Sequence, residues 1–155
     1  AASDVYDAAL DCARVLGAQV TFDGRELQAE ALAGELRAWS GGRGLAAIFD
    51  STGDLGVQRA ALSALAPGGT LMLMAGAAEG LALDAGRLAG ERRVTTSSNH
   101  LPADFARGLA LLAEGAVGVG PMITHRFALS DAVRAFEVAA NKRETGAIKV
   151  IIRPR

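Results

Sequence analysis

The sequence predicts an α/β fold, a parallel sheet covered by helices. Short apolar runs of strand length alternate along the whole chain with longer stretches whose apolar residues recur at helical spacing. Two of the runs, "LAAIFD" ending at Asp50 and "TLMLMAG" starting at Thr70, are apolar at consecutive positions, as strands buried on both faces require. The joints between the runs are short and rich in glycine, which suits neighbouring elements in successive strand–helix units.

Taken in order, "AASD" is a short strand ending at Asp4. Val5, Ala9, Cys12 and Leu16 then share one helical face, and Gly17 stands where a left-handed residue ends a helix. "AQVTF" predicts a strand around Gln19 to Phe22, and "GRELQAEALAGELRAW" a helix of strong helix formers stopped by "SGGRG". Leu45 to Asp50 reads as a central parallel strand. In "STGDLGVQRAALSALAPGG", Asp54 is the expected N-cap, Val57, Ala61 and Leu65 the apolar face, and Pro-Gly-Gly the stop. A buried strand follows from Thr70 to about Ala75. Beyond Gly76 come a weak strand at Leu81 to Leu83, a short helical turn, and the strand "RVTTSS". "PADFARGLALLAEG" predicts a helix with Phe105, Leu109 and Leu112 on one face, closed by Gly115. The tail reads as a strand, a helix capped by Ser130 with Leu129, Val133, Phe136 and Ala140 in line, and a terminal strand.

Bulk properties set the limits. A chain of 155 residues, half of them hydrophobic, can bury one continuous core. Lys+Arg 16 against Asp+Glu 17 leaves a net charge of -1, so no global field draws in nucleic acid or an anionic membrane, and neither partner is expected. Cys12 is the single cysteine, which rules out an internal disulfide and a cysteine-rich zinc site. No apolar run is long enough to span a bilayer, and the first residues lack the basic flank and hydrophobic core of a signal peptide. A cytoplasmic protein is the expectation.

The residues that could carry chemistry gather at strand ends. Asp4, at a strand end just before a helix, is the residue type that holds the two ribose hydroxyls of NAD and repels the 2'-phosphate of NADP; it suits a helix cap equally well. The turn Asp50 to Gly53 leaves the central strand at its carboxyl edge, where ligands bind in open α/β sheets, although every parallel strand needs such a turn. "SGGRG" and "PGGT" lack the spacing of a phosphate loop and act as helix stops. His100 and His125 have no ligand-like neighbours, and Ser97 and Ser98 lack a nucleophile elbow. Neither a catalytic constellation nor a metal site is therefore expected in this chain.

Taken together, "SD" and "AR.LGA" between Ser3 and Ala18, "AIFDSTG", "PGGTLMLM", "ERRVTTSS", "DFARGLALLAEG", "PMITHRFALSDAVRAFEVA" and "GAIKVII" resemble the C-terminal portion of zinc-containing medium-chain dehydrogenases/reductases, nearest to the polyol and threonine dehydrogenase branch. The resemblance covers essentially the whole chain in order. It implies a partial Rossmann-type doubly wound parallel sheet lacking its first βα unit, plus a C-terminal segment of the catalytic domain. Residues 1–98 would form the truncated dinucleotide-binding domain, and 99–155 the connecting helix and the return to the catalytic domain. NAD is the implied cofactor and a small alcohol the implied substrate. Zinc belongs to the parent enzyme, its ligands and the proton relay lying outside these residues, so the chain alone is expected to be inactive.

Matched position by position, the resemblance makes Asp4 the ribose acid. Ser51, Thr52 and Gly53 form the turn beside the adenosine and the cofactor's midsection. Met74, Ala75 and Gly76 run under the nicotinamide, with Ala75 where the family usually has glycine. Ser97, Ser98 and Asn99 are the crossover beside the nicotinamide ring. Lys149 meets the pyrophosphate or is a solvated edge-strand lysine, and Leu81 to Asp84 is an edge strand that pairs two subunits of a homo-oligomer. In the strand order 3-2-1-4-5-6 the absent first strand is central, so the "AASD" and "LAAIFD" strands either close up or leave a poorly stable gap. Two other readings stay open, a zinc-free quinone-reductase-like relative and a non-catalytic α/β binding or dimerisation module.

Overall fold

The alternation of strands and helices is present along the chain in the computed structural model, which describes residues 1–76, 83 and 85–154. In chain order the elements are β1 (Ala2–Asp4), α1 (Asp7–Val15), β2 (Thr21–Asp23), α2 (Ala29–Trp39), β3 (Leu45–Asp50), α3 (Leu55–Ala64), β4 (Leu65–Leu73), β5 (Arg93–Thr96), α4 (Pro102–Ala113), β6 (Ile123–Ala128), α5 (Ala132–Ala140), α6 (Lys142–Thr145) and β7 (Lys149–Arg153). All strand pairs are parallel, which bears out the α/β class. Among the described residues they form three sheets, β1-β2, β3-β4-β5 and β6-β7.

The chain divides into two compact units, Glu26–Asn99 and a second formed by Ala1–Arg25 with His100–Arg155. This division differs from the expected break between 98 and 99 by grouping the first 25 residues with the last segment. The physical basis lies in local packing: α1 touches the 3-10 turn at Gly120–Met122, and a Cβ on Gly146 would lie 3.6 Å from that of Ala8.

Within Glu26–Asn99, α3 covers the β3-β4-β5 sheet and α2 packs on α3. Leu62, Leu65 and Leu71 are fully buried, with Ala61 completing the cluster and Ile48, Leu73, Leu88 and Val94 packed around it. Each such leucine contributes about 1.5–3 kcal/mol through area removed from water. Ala33, Ala60 and Ala64 form a second cluster whose small side chains let α2 and α3 approach closely. Asp54 caps α3, accepting from Val57 N at 2.8 Å, as its place before the helix predicts. Gly44, with φ +80, cannot carry a side chain, since a Cβ there would lie 2.6 Å from Ala66 N; this glycine of "SGGRG" therefore serves the approach of β3 to the β4 backbone as well as a helix stop.

Several expectations are corrected. β3 is the edge of its sheet, not a centre, and Phe49 is 68% exposed on it. β4 begins at Leu65 rather than Thr70, because α3 ends where the chain turns extended. α2 starts at Ala29, five residues into its expected helical stretch, since Arg25 is tied into a turn by Asp23. The buried residue of α1 is Leu10, while Val5 and Leu16 of the expected face are exposed. Ser130 caps nothing: a 3-10 turn, Leu129–Asp131, leads into α5, whose buried residue is Ala135 while Leu129, Val133 and Phe136 face outward. α4 likewise buries no residue and exposes Phe105, Leu109 and Leu112, although Gly115 ends it at φ +71 as expected. The expected edge strand at Leu81 to Asp84 lies outside the described residues apart from Leu83, which is exposed.

Candidate functional site

At the carboxyl ends of β3, β4 and β5 the ladders extend beyond the strands. Met74 N donates to Asp50 O at 2.7 Å, and Ser97 N donates to Leu73 O at 3.0 Å. These bonds align three segments that the sequence singles out: Asp50 to Gly53, Met74 to Gly76, and Ser97 to Ser98.

The first segment is organised by Asp50, which is 3% exposed. Its Oδ1 accepts from Thr52 N at 2.9 Å and from Thr52 Oγ1 at 2.6 Å; its Oδ2 accepts from Gln58 Nε2 at 2.8 Å. Burial by itself would raise the Asp50 carboxyl, but hydrogen bonds from Thr52, Gln58 and the Gly53 backbone outweigh it and hold the group below its ordinary value. Thr52 Oγ1 passes the order on by accepting from Asp54 N at 3.1 Å. The resulting turn places Gly53, at φ +69, so near the next loop that a Cβ would lie 2.7 Å from Gly76 O. Only glycine fits there.

Beside this turn lies a cavity of ≈ 300 Å³ walled by Gln58, Leu73, Met74, Ala75, Gly76, Thr96, Ser97 and Ser98. Of the sequence-predicted residues, Met74, Ala75, Gly76, Ser97 and Ser98 line it, and Gly53 buttresses it through Gly76. Ser51 and Asn99 are exposed and outside the lining; Asn99 takes a left-handed φ of 63. Such a wall, apolar at Leu73 and Met74 and hydroxyl-bearing at Thr96, Ser97 and Ser98, can receive a flat ring carrying polar substituents.

Asp4 and Lys149 belong to the other unit. Asp4 pairs in register with Asp23, and its Oδ1 accepts from Val5 N at 2.7 Å and Tyr6 N at 3.0 Å, so half of the carboxylate organises the entry to α1. Beside it is a cluster that sequence reasoning missed. Arg25 bridges Asp23 and Asp7, with Nε 2.9 Å from Asp23 Oδ1 and ion pairs to both acids. The Arg25 side chain holds the Asp23 carboxyl at about 2. Lys149 opens β7, exposed, with its carbonyl accepting from Thr124 Oγ1 at 3.3 Å.

Gln58 is the second residue missed. A signal existed: Gln58, Ala61, Leu62 and Leu65 follow the 3.6-residue period as well as the face chosen from Val57 does. A zinc ion has no fitting donor set, because the described residues contain no group of three or more His, Cys, Asp or Glu placed to hold a metal.

Known proteins give this geometry a context. A zinc-binding dehydrogenase family model matches residues 16–152. The alcohol dehydrogenase of Cupriavidus necator is 30% identical over 157 aligned residues, covering 99% of this chain and 42% of its own length. The L-arabinitol 4-dehydrogenase of Aspergillus niger is 50% identical over 48 residues, 31% of this chain and 12% of that protein. An alcohol dehydrogenase of Escherichia coli CFT073, solved with NADH, matches 96% of this chain and 42% of its own with a TM-score of 0.81 at 21% identity, a likeness of fold. The chain thus spans about two fifths of the length of the Cupriavidus relative. It belongs to the zinc-binding dehydrogenase family and corresponds to a C-terminal portion of the medium-chain alcohol and polyol dehydrogenases.

Proposed function

We propose that this chain is the cofactor-binding part of an NAD-linked, zinc-dependent alcohol or polyol dehydrogenase that oxidises a secondary alcohol to a ketone by hydride transfer. The observation that supports this reading is the convergence of Met74–Gly76 and Ser97–Ser98 at adjacent carboxyl strand ends around one cavity, with Gly53 packed on Gly76 behind it, in a member of an oxidoreductase family. In this reading the cavity takes the nicotinamide ring, which when bound supplies the hydride acceptor. Met74 to Gly76 with Ser97 and Ser98 hold the ring against the sheet edge and keep water from one face, and Asn99 follows them at the exposed crossover. Ser51 to Gly53 offer backbone beside the cofactor's midsection. Asp4 keeps Oδ2 for a ribose hydroxyl and repels a 2'-phosphate, and Lys149 offers a cation to the pyrophosphate.

No step runs through zinc on these residues, since the donor set does not fit it; the zinc ligands of the proposed enzyme come from residues outside this chain. A homo-oligomer paired near Leu81 to Asp84 and a cytoplasmic location belong to the same proposal. Titration of the folded chain with NADH, followed by nucleotide fluorescence, tests it. We expect saturable binding, NADPH weaker by about tenfold or more, and loss of that preference in Asp4→Ala, since a carboxylate–phosphate repulsion at short range is of that order. A folded chain that ignores both nucleotides overturns the cofactor reading and favours a non-catalytic binding module.

A further inference from the structure

Within the Glu26–Asn99 unit, arginines from separate elements meet at one serine. Ser63 is exposed in the last turn of α3, just before β4 begins, so it lies at the amino end of the sheet and the cavity at the other. From α2, Arg37 Nη1 donates to the Ser63 carbonyl at 3.1 Å. From the 3-10 turn Ala85–Leu88, Arg87 Nη1 donates to Ser63 Oγ at 3.0 Å. Ser63 Oγ in turn donates to Arg59 O at 3.2 Å, and exposed Arg59, four residues earlier, shares its face of α3.

Two guanidiniums are thereby fixed within hydrogen-bond reach of a single residue, an arrangement that costs free energy unless negative charge stands nearby. The ion pairs of the described residues use Arg14, Arg25 and Arg107, and none involves Arg37, Arg59 or Arg87. The negative end of the α3 dipole accounts for Arg37, which binds a carbonyl of the last turn, and for Arg92, whose Nε donates to Leu65 O at 3.1 Å. It does not account for Arg87, which reaches the hydroxyl instead of a carbonyl and keeps its other N–H groups for a further acceptor. A tetrahedral dianion meets both needs. Its charge matches the two guanidiniums and its oxygens take the spare N–H groups, whereas a carboxylate would balance half of the charge. We propose that Arg37 and Arg87, with Arg59 at the rim, form a binding site for a phosphoryl group, supplied by inorganic phosphate or by a phosphate monoester. Ser63 Oγ holds Arg87 in place for it. The site does not depend on a nucleotide bound in the cavity.

The test titrates the full chain with inorganic phosphate, and separately with glycerol 3-phosphate, by calorimetry at an ionic strength held constant with chloride. Saturable binding is expected for both; tighter binding of the ester names a monoester as the ligand, and tighter binding of phosphate names the free ion. Arg87→Gln should weaken phosphate binding about fivefold or more, the usual worth of a charge-assisted hydrogen bond. Because Arg37→Gln also unties α2 from α3 and can impair folding, Ser63→Asp provides the second comparison. It places a carboxylate between the guanidiniums and is expected to abolish binding. Lys149→Gln, in the other unit, should bind as wild type does. Heats no different from those of added chloride overturn the proposal. A folded Arg87→Gln or Ser63→Asp chain that binds phosphate as tightly as wild type overturns it too, as does loss of binding in Lys149→Gln, which would put the ion elsewhere.

Discussion

Asp23 shows how a single residue's partners become a property of the whole chain. The Arg25 side chain, then the Arg25 backbone N–H, lowers its carboxyl from an ordinary 3.8 to about 2. A carboxyl depressed in the folded state adds stability that is fully present above 3.8 and is lost as the pH falls through 2. Asp50, also depressed, acts in the same direction. Acid titration by circular dichroism should therefore show progressive loss of structure as the pH falls from about 4 to about 2, and Asp23→Asn should show a smaller loss over the same interval. An unchanged slope in Asp23→Asn would count against Arg25 as the cause. At this scale Asp54 was legible in the sequence, because a cap is a local event decided within four residues. The bridge from Arg25 to Asp7 spans 18 positions and was not.

For the elements, the sequence period located the helices but not always the face they bury. Leu62 in α3 is 1% exposed and its neighbours are close-packed. Leu62→Ala should cost about 2–5 kcal/mol in denaturant unfolding, from lost burial plus the cavity left behind. Phe136 in α5 is 72% exposed, so Phe136→Ser should change stability by no more than about 0.5 kcal/mol despite its place in an apolar stripe. Comparable costs for the two substitutions would contradict the assigned faces. A hydrophobic period shows that one side of a helix is apolar; whether anything covers that side depends on what packs there. Val133 and Phe136 carry the signal of a core and stand at the surface, whereas the Gln58 face is buried.

For the whole molecule, the sheets matter more than the helices. β1 pairs only with β2, and β3 only with β4, so among the described residues each has an edge with no strand partner. Unpaired edges and a division into two units both weaken cooperativity. Calorimetry of the chain should show a broad transition, below the range of about 45–65 °C typical of mesophile domains. One sharp transition above about 65 °C would show that the open edges cost little. The α/β class, the strand–helix order and the glycines of the turns were determined by the sequence alone, since alternation, caps and stops are read within a few residues. The tertiary structure decided which strands became edges and which 25 residues joined the C-terminal segment. It also brought Gln58, Gly76 and Ser97 to the wall of one cavity, with Asp50 bonded behind Gln58. The physical reason is that pairing and burial depend on partners far away in sequence, and no local period records where those partners lie.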